Sequence, residues 1–148
     1  GKIALDLYAG TGALGIEVLS RGGEHVDFVE ADRTQCNDIK ASLLFTKLEN
    51  RAQVWHMRVD RALVQLPRRY DLVLMDPPYR DPFPIPIMEH LVQLELLRRD
   101  AIVVAGHPSR VPAPVSCGEL HQWSDHRYGD SSLAFYSLGL DLKSFEVG

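Results

Sequence analysis

The stretch Asp71-Leu72-Val73-Leu74-Met75-Asp76-Pro77-Pro78-Tyr79 decides the fold. Its first five residues form a short apolar run that reads as a buried strand. Two successive prolines lack backbone N–H groups, so a central strand cannot continue through them. The chain must therefore leave the sheet at Asp76, carrying a carboxylate and an aromatic ring at the strand's carboxyl end. In open α/β sheets ligands bind at that end. An acid, two stiff carbonyls and a flat ring suit the gripping of a planar base that bears an exocyclic amine.

Upstream, Ile3-Ala4-Leu5-Asp6-Leu7-Tyr8-Ala9-Gly10-Thr11-Gly12-Ala13-Leu14-Gly15 runs from an apolar strand through a glycine turn into a helix. Gly10, Gly12 and Gly15 fit the spacing that lets a ligand approach backbone N–H groups. A plain strand-to-helix turn has the same spacing. A second strand, His25-Val26-Asp27-Phe28-Val29-Glu30, ends in an acid at about the distance expected of a ribose-binding carboxylate. Asp32 is the alternative if the register differs.

Strands are read near 2–7, 25–30, 52–59, 70–75 and 101–105, and helices near 12–21, 33–48, 60–66 and 85–97. This alternation implies a parallel sheet covered on both faces. The three prolines of Asp81-Pro82-Phe83-Pro84-Ile85-Pro86 require a loop beside the candidate site. A second loop runs from His107 to Pro114, which makes His107 a loop residue. Segments Glu119–Trp123 and Leu133–Leu138 read as a terminal antiparallel pair, with Trp55, Trp123 and Phe135 in the core.

The 148 residues suit one domain with a real core. No apolar run approaches the ~18 residues needed to span a bilayer. The chain opens directly on a strand, without a leader pattern. Cys36 and Cys117 lack metal-ligand spacing, so no metal is expected and the thiols fit a reducing cytoplasm. The formal charge of −4 argues against tight binding of nucleic acid by total charge. A local basic rim is compatible with that total.

Taken together, Asp6 to Glu17, Phe28-Val29-Glu30, Asp60-Arg61-Ala62-Leu63, Asp76-Pro77-Pro78-Tyr79 and Arg127-Tyr128-Gly129-Asp130 cover most of the chain. In this order they resemble the bacterial 16S rRNA guanine-N2 methyltransferase family (RsmD-like), within the class I S-adenosylmethionine-dependent methyltransferases. The resemblance implies a Rossmann-like α/β fold, with a mostly parallel seven-strand sheet, an antiparallel last strand and helices on both faces. It implies a single domain over 1–148, monomeric and cytoplasmic. Family members carry a basic amino-terminal segment that is expected to be missing here. Ala105-Gly106-His107 stands where relatives often have an acid, and Ser131 where threonine is common.

The same resemblance assigns roles. S-adenosyl-L-methionine would be held by Asp6, Tyr8, Gly10, Gly12, Glu30 and Asp60. Asp6 has a rival role as a turn or helix-capping acid, and Asp60 as a helix cap. Asp76, Pro77, Pro78 and Tyr79 would form the catalytic set, with Tyr79 stacking on the target base. Arg127 and Tyr128 would contact the RNA backbone or brace the site, or merely precede a turn. The partner would be ribosomal RNA or an assembling small subunit. Rival functions are a DNA adenine-N6 methyltransferase, an NAD-dependent dehydrogenase and a non-catalytic nucleotide-binding module.

Overall fold

A computed structural model describes residues 1–139. The elements are β1 (Ile3–Leu7), α1 (Ala13–Ser20), β2 (His25–Glu30), α2 (Arg33–Phe45), a 3₁₀ turn (Glu49–Arg51), β3 (Ala52–His56), α3 (Val59–Ala62), β4 (Tyr70–Met75), α4 (Ile85–Gln93), β5 (Leu97–Pro108), β6 (Ser116–Cys117), β7 (Leu120–Tyr128) and β8 (Ser131–Leu138). They form one sheet of order β3-β2-β1-β4-β5-β8-β7-β6. Strands β1 to β5 are parallel, and β8 runs antiparallel to β5. This is the Rossmann-like arrangement. The two-residue β6 adds an eighth strand at the edge to the seven expected.

Strand order reverses between β1 and β4, which creates the switch point where such sheets bind ligands. Leu7 lies in register with both Val29 and Met75, and Met75 with Ala105. Adjacent strands stand ~4.8 Å apart. Tyr8, Glu30, Asp76 and Gly106, each one residue beyond these paired positions, therefore stand side by side, the first three at the ends of β1, β2 and β4 and Gly106 within β5.

Two apolar layers hold these strands. On one face Leu19 of α1 and Ile39 and Leu43 of α2 pack on Ala4, Val26 and Phe28. On the other, Ala62 of α3 and Met88 and Leu91 of α4 cover Leu5, Val73, Val103 and Tyr136. Asp27 is buried within the sheet and accepts four hydrogen bonds. The donors are Tyr70 Oη (2.6 Å), Arg68 Nε (2.8 Å), His25 Nε2 (2.9 Å) and Trp55 Nε1 (3.1 Å).

Several expected boundaries move. The helix expected over 85–97 stops at Gln93, and the one over 33–48 stops at Phe45. Each ends in a Schellman turn, with Glu95 (φ 55°) and Lys47 (φ 61°) in the left-handed position usually held by glycine. The N–H groups of Leu96 and Leu48 close these turns on Leu91 O and Leu43 O. The strand over 52–59 ends at His56, and the helix over 60–66 shrinks to Val59–Ala62. β5 is far longer than 101–105, because its start pairs with Tyr70 and its end with β8. That pairing also removes His107 from any loop: it is a buried strand residue. β7 extends past Trp123 to Tyr128. Trp123 is not core: it sits at a register shift, 56% exposed, with its ring 5.3 Å from that of Phe135.

Among the described residues, no helix is long and apolar enough to cross a membrane, and no group of three metal-ligating side chains occurs.

Candidate active site

The turn after β1 sets the floor of the site. Tyr8 and Gly10 both adopt left-handed backbone (φ 57° and 59°), which costs a non-glycine residue energy and occurs where the surrounding structure imposes it. Gly12 N–H closes the turn on Ala9 O at 2.8 Å. Gly12 caps α1 without a side chain to offer. Asp6 supplies the missing acceptor, its Oδ2 receiving the Gly15 N–H at 3.1 Å. A β-carbon on Gly15 would collide with the Phe28 ring and come within 3.0 Å of that same oxygen. The third glycine thus lets helix, strand and carboxylate meet.

Asp6 is 3% exposed. Burial pushes its carboxyl up to about 7, the Gly15 N–H partly opposes this, and the nearby Asp76 and Glu30 add to it. The helix-capping role weighed for Asp6 is therefore the one its contacts display.

Glu30 is fixed by two backbone donors. Gly10 N–H reaches Oε1 and Asp32 N–H reaches Oε2, each at 2.8 Å. These charge-assisted bonds aim the carboxylate into the space above Gly10. Asp32 instead caps α2, accepting from Gln35 N–H at 3.0 Å. Asp60 is not a cap: Arg58 occupies the cap position, and Asp60, within the first turn, pairs with its guanidinium at 3.2 and 3.4 Å. Burial, with Asp81 and Asp60 nearby, pushes the Tyr8 phenol above its ordinary range.

These residues line a cleft of about 750 Å³. It brings together Tyr8, Gly10, Glu30, Asp60, Asp76, Pro77 and Pro78, along with Gln35 and Arg58. A second cavity of about 360 Å³ adjoins it, sharing Pro77, Pro78 and the 81–84 loop as a wall. Tyr79, Arg80, Gly106, His107 and Val111 line this second chamber. Asp76 lines the first cavity and joins it to the second through Pro77, which lines both, and Gly106, which lines the second. Partial burial pushes its carboxyl upward, and its oxygen faces the backbone of Gly106.

Four expected site residues lie outside both linings. Asp6 sits behind the turn, and Gly12 faces Ile39 of α2. Arg127 and Tyr128 end β7 and are exposed, ahead of a turn at Gly129 (φ 64°). Arg58 and His107 were not among the expected site residues. Arg58 has no motif of its own. His107 follows Gly106 on the strand that abuts Asp76, a placement visible only once β5 extends beyond 105. Its Nδ1 faces Val111 O (2.8 Å) and its Nε2 faces Asp125 Oδ1 (3.0 Å).

The family model of conserved hypothetical protein 95 matches residues 1–137. A Bacillus subtilis protein named "Putative rRNA methyltransferase YlbH" is 34% identical over 139 residues, 92% of this chain and 76% of the relative. Ribosomal RNA small subunit methyltransferase D of Haemophilus influenzae is 37% identical over 78 residues, 51% of this chain and 40% of that protein. Among solved structures, a conserved hypothetical protein of Streptococcus pyogenes superposes with a TM-score of 0.89 at 34% identity, covering 94% of this chain and 87% of its own.

Proposed function

The chain belongs to the conserved hypothetical protein 95 family, the RsmD-like group its motifs resemble, and from that premise we propose that it is an S-adenosylmethionine-dependent rRNA methyltransferase. The acceptor would be the exocyclic N2 amine of a guanine in small-subunit rRNA. The relatives named as rRNA methyltransferases support the RNA. The observation that carries the chemistry is the pair of adjoining cavities with Asp76 at their join.

The first cavity suits the cofactor. Glu30 presents a carboxylate already held by two N–H groups, able to accept from ribose hydroxyls. Gly10 leaves open space at the turn. Asp60, anchored by Arg58, would accept from the adenine amine. Bound there, S-adenosylmethionine supplies a methyl group on a positively charged sulfur.

The second cavity suits the base. Tyr79 would stack on it, a contact worth ~1–3 kcal/mol. Asp76 and the Pro77 carbonyl would accept the two hydrogens of the amine. That favours a pyramidal nitrogen, whose lone pair forms the new N–C bond as the C–S bond breaks and its electron pair stays on sulfur. The proton would then pass from that nitrogen, made acidic by methylation, to the Asp76 carboxylate, which need not be a strong base to take it. This is stabilisation of what develops in the transition state, with positioning supplying much of the rest. The target guanine must be flipped or splayed from its stack to reach the cavity. The domain would act as a monomer in the cytoplasm, on rRNA or an assembling subunit.

The test is transfer of labelled methyl from S-adenosylmethionine to small subunits lacking the modification, with wild type and Asp76→Ala. Labelling of rRNA by wild type alone supports the assignment. Labelling by neither, or equally by both, removes it.

A further inference from the structure

Pro108 and Val111 line the second cavity, and the turn they bound is locked to the tip of the β7–β8 hairpin outside it. Ser109 N–H donates to Asp130 O at 2.8 Å, and Ser109 Oγ to Gly129 O at 3.0 Å. Ser132 Oγ lies 2.8 Å from the same Ser109 oxygen. These contacts fasten the Pro108–Val111 turn to the tip of the β7–β8 hairpin. His107 adds a second fastening, since it joins Val111 O to Asp125 of β7 through its two ring nitrogens. Such locking fixes the position of whatever side chains the two turns carry.

They carry Arg110, Arg127 and Tyr128, all exposed. Arg127 is itself held, its Nε donating to Gly129 O at 2.9 Å. Arg80 also lines this cavity. Of the other arginines, Arg21 pairs with Glu17, Arg68 with Asp27 and Arg98 with Asp71, whereas Arg33, Arg51, Arg61 and Arg99 are in no ion pair among the described residues. Arg80, Arg110 and Arg127 have no acid partner among the described residues. Asp81 also lines the cavity and Asp130 follows Gly129 at the hairpin tip, so the surface is a few cations on a fixed frame rather than a broad basic field.

We propose that this locked pair of turns, together with Arg80 of the cavity lining, is the surface that receives the phosphodiester backbone on either side of the nucleotide entering the second cavity. It rests on the RNA reading above and names where the strand lies. Cations on the cavity lining and on the turn and hairpin fastened beside it suit such a ligand although the whole chain is acidic, because phosphate contacts position a strand without reading its sequence. Tyr128, at the hairpin tip, offers a face on which a flanking base can stack. Ser109 is a positioning residue, acting only through the turns it joins.

The experiment is fluorescence anisotropy of a short guanine-containing single-stranded RNA between about 50 and 200 mM salt. It compares wild type, Arg80→Ala, Arg110→Ala, Arg127→Ala, Ser109→Ala and the remote control Arg99→Ala. Calorimetric affinity for S-adenosylmethionine is measured alongside as a check of fold. Each of the three arginine variants should bind RNA several-fold more weakly and lower the slope of log affinity against log salt by ~0.7. Ser109→Ala should weaken binding with the slope kept, because no charge is lost. Arg99→Ala should change neither. Unchanged slopes in all three arginine variants, with RNA binding and methyl transfer intact in wild type, would place the strand elsewhere and overturn the proposal alone. A wild type that neither binds RNA nor methylates it would overturn the functional reading and this surface together.

Discussion

Gly106 and Asp76 touch across neighbouring strands: a β-carbon at 106 would stand 2.5 Å from Oδ1 of Asp76 and 3.1 Å from its Cγ. The two residues follow the paired Met75 and Ala105, so the sheet itself sets their separation. The absence of a side chain at 106 is what lets the Asp76 carboxylate lie at the join of the two cavities.

Gly106→Ala should therefore displace Asp76 while leaving Gly10, Glu30 and Asp60 of the first cavity in place. A misplacement of this size costs on the order of 100-fold in rate. Steady-state methyl transfer and calorimetry check this together: kcat should fall while affinity for S-adenosylmethionine stays within a few-fold of wild type. Unaltered kcat would show that Asp76 does not need its present position.

Asp6 makes stability depend on pH in an unusual sense. Its carboxyl sits at about 7 in the fold, pushed up mainly by burial, against about 3.9 in an unfolded chain. Between those values the folded state binds more protons than the unfolded state. Its contribution thus falls as pH rises from about 4 to about 7 and is level above that. In Asp6→Asn this fall should vanish, because the amide oxygen can still accept from Gly15 without a charge. Urea unfolding from pH 4 to 8 measures it, and a slope that persists in the variant assigns the effect to another group.

Asp27 acts in the opposite direction. Burial pushes its carboxyl up, but hydrogen bonds from Tyr70, His25, Trp55 and Arg68 outweigh this and hold it below the ordinary range. Its stabilisation is present above about pH 4 and is lost as pH falls through its lowered value. Asp27→Ala leaves the buried Tyr70 hydroxyl and the half-buried Arg68 guanidinium without their acceptor. It should destabilise the fold by ~3–5 kcal/mol, the range for breaking a buried pair. Thermal and denaturant unfolding at neutral pH provide the check.

Glu30 and Asp60 should differ as cofactor ligands. The Glu30 carboxylate is fixed by two backbone N–H groups, whereas Asp60 is exposed and shared with Arg58. Glu30→Ala should lower S-adenosylmethionine affinity by roughly 10- to 100-fold, the worth of hydrogen bonds to a charged group. Asp60→Ala should cost less. Calorimetric titration with S-adenosylmethionine, and with NAD as the competing dinucleotide, decides both points. A Glu30→Ala variant that binds as wild type does would detach that acid from the cofactor.

The parts of the fold legible in the sequence were those fixed by local covalent chemistry. Pro77-Pro78 had to end β4, and the apolar runs before Tyr8, Glu30 and Asp76 had to be parallel interior strands. Their register then brings Tyr8, Gly10, Glu30 and Asp76 to one cleft. Features that depend on contacts distant in the chain were not legible. Asp27 meets Arg68 and Tyr70 from more than forty positions away. Gly106 gains its meaning only beside Asp76. Lys47 and Glu95 end helices in a conformation that sequence reading expects of glycine, so the residue types at these positions give no sign that either helix stops there. Asp60 pairs with Arg58 instead of capping α3, since the local backbone makes Arg58 the cap residue.

The most direct test of the central claim is the identity of the methylated nucleoside. Small ribosomal subunits lacking the modification are incubated with the protein and S-adenosylmethionine, and the rRNA is digested and resolved by mass spectrometry. The account predicts N2-methylguanosine, absent when Asp76→Ala replaces wild type. N6-methyladenosine in its place, or no methylated nucleoside at all, would contradict it.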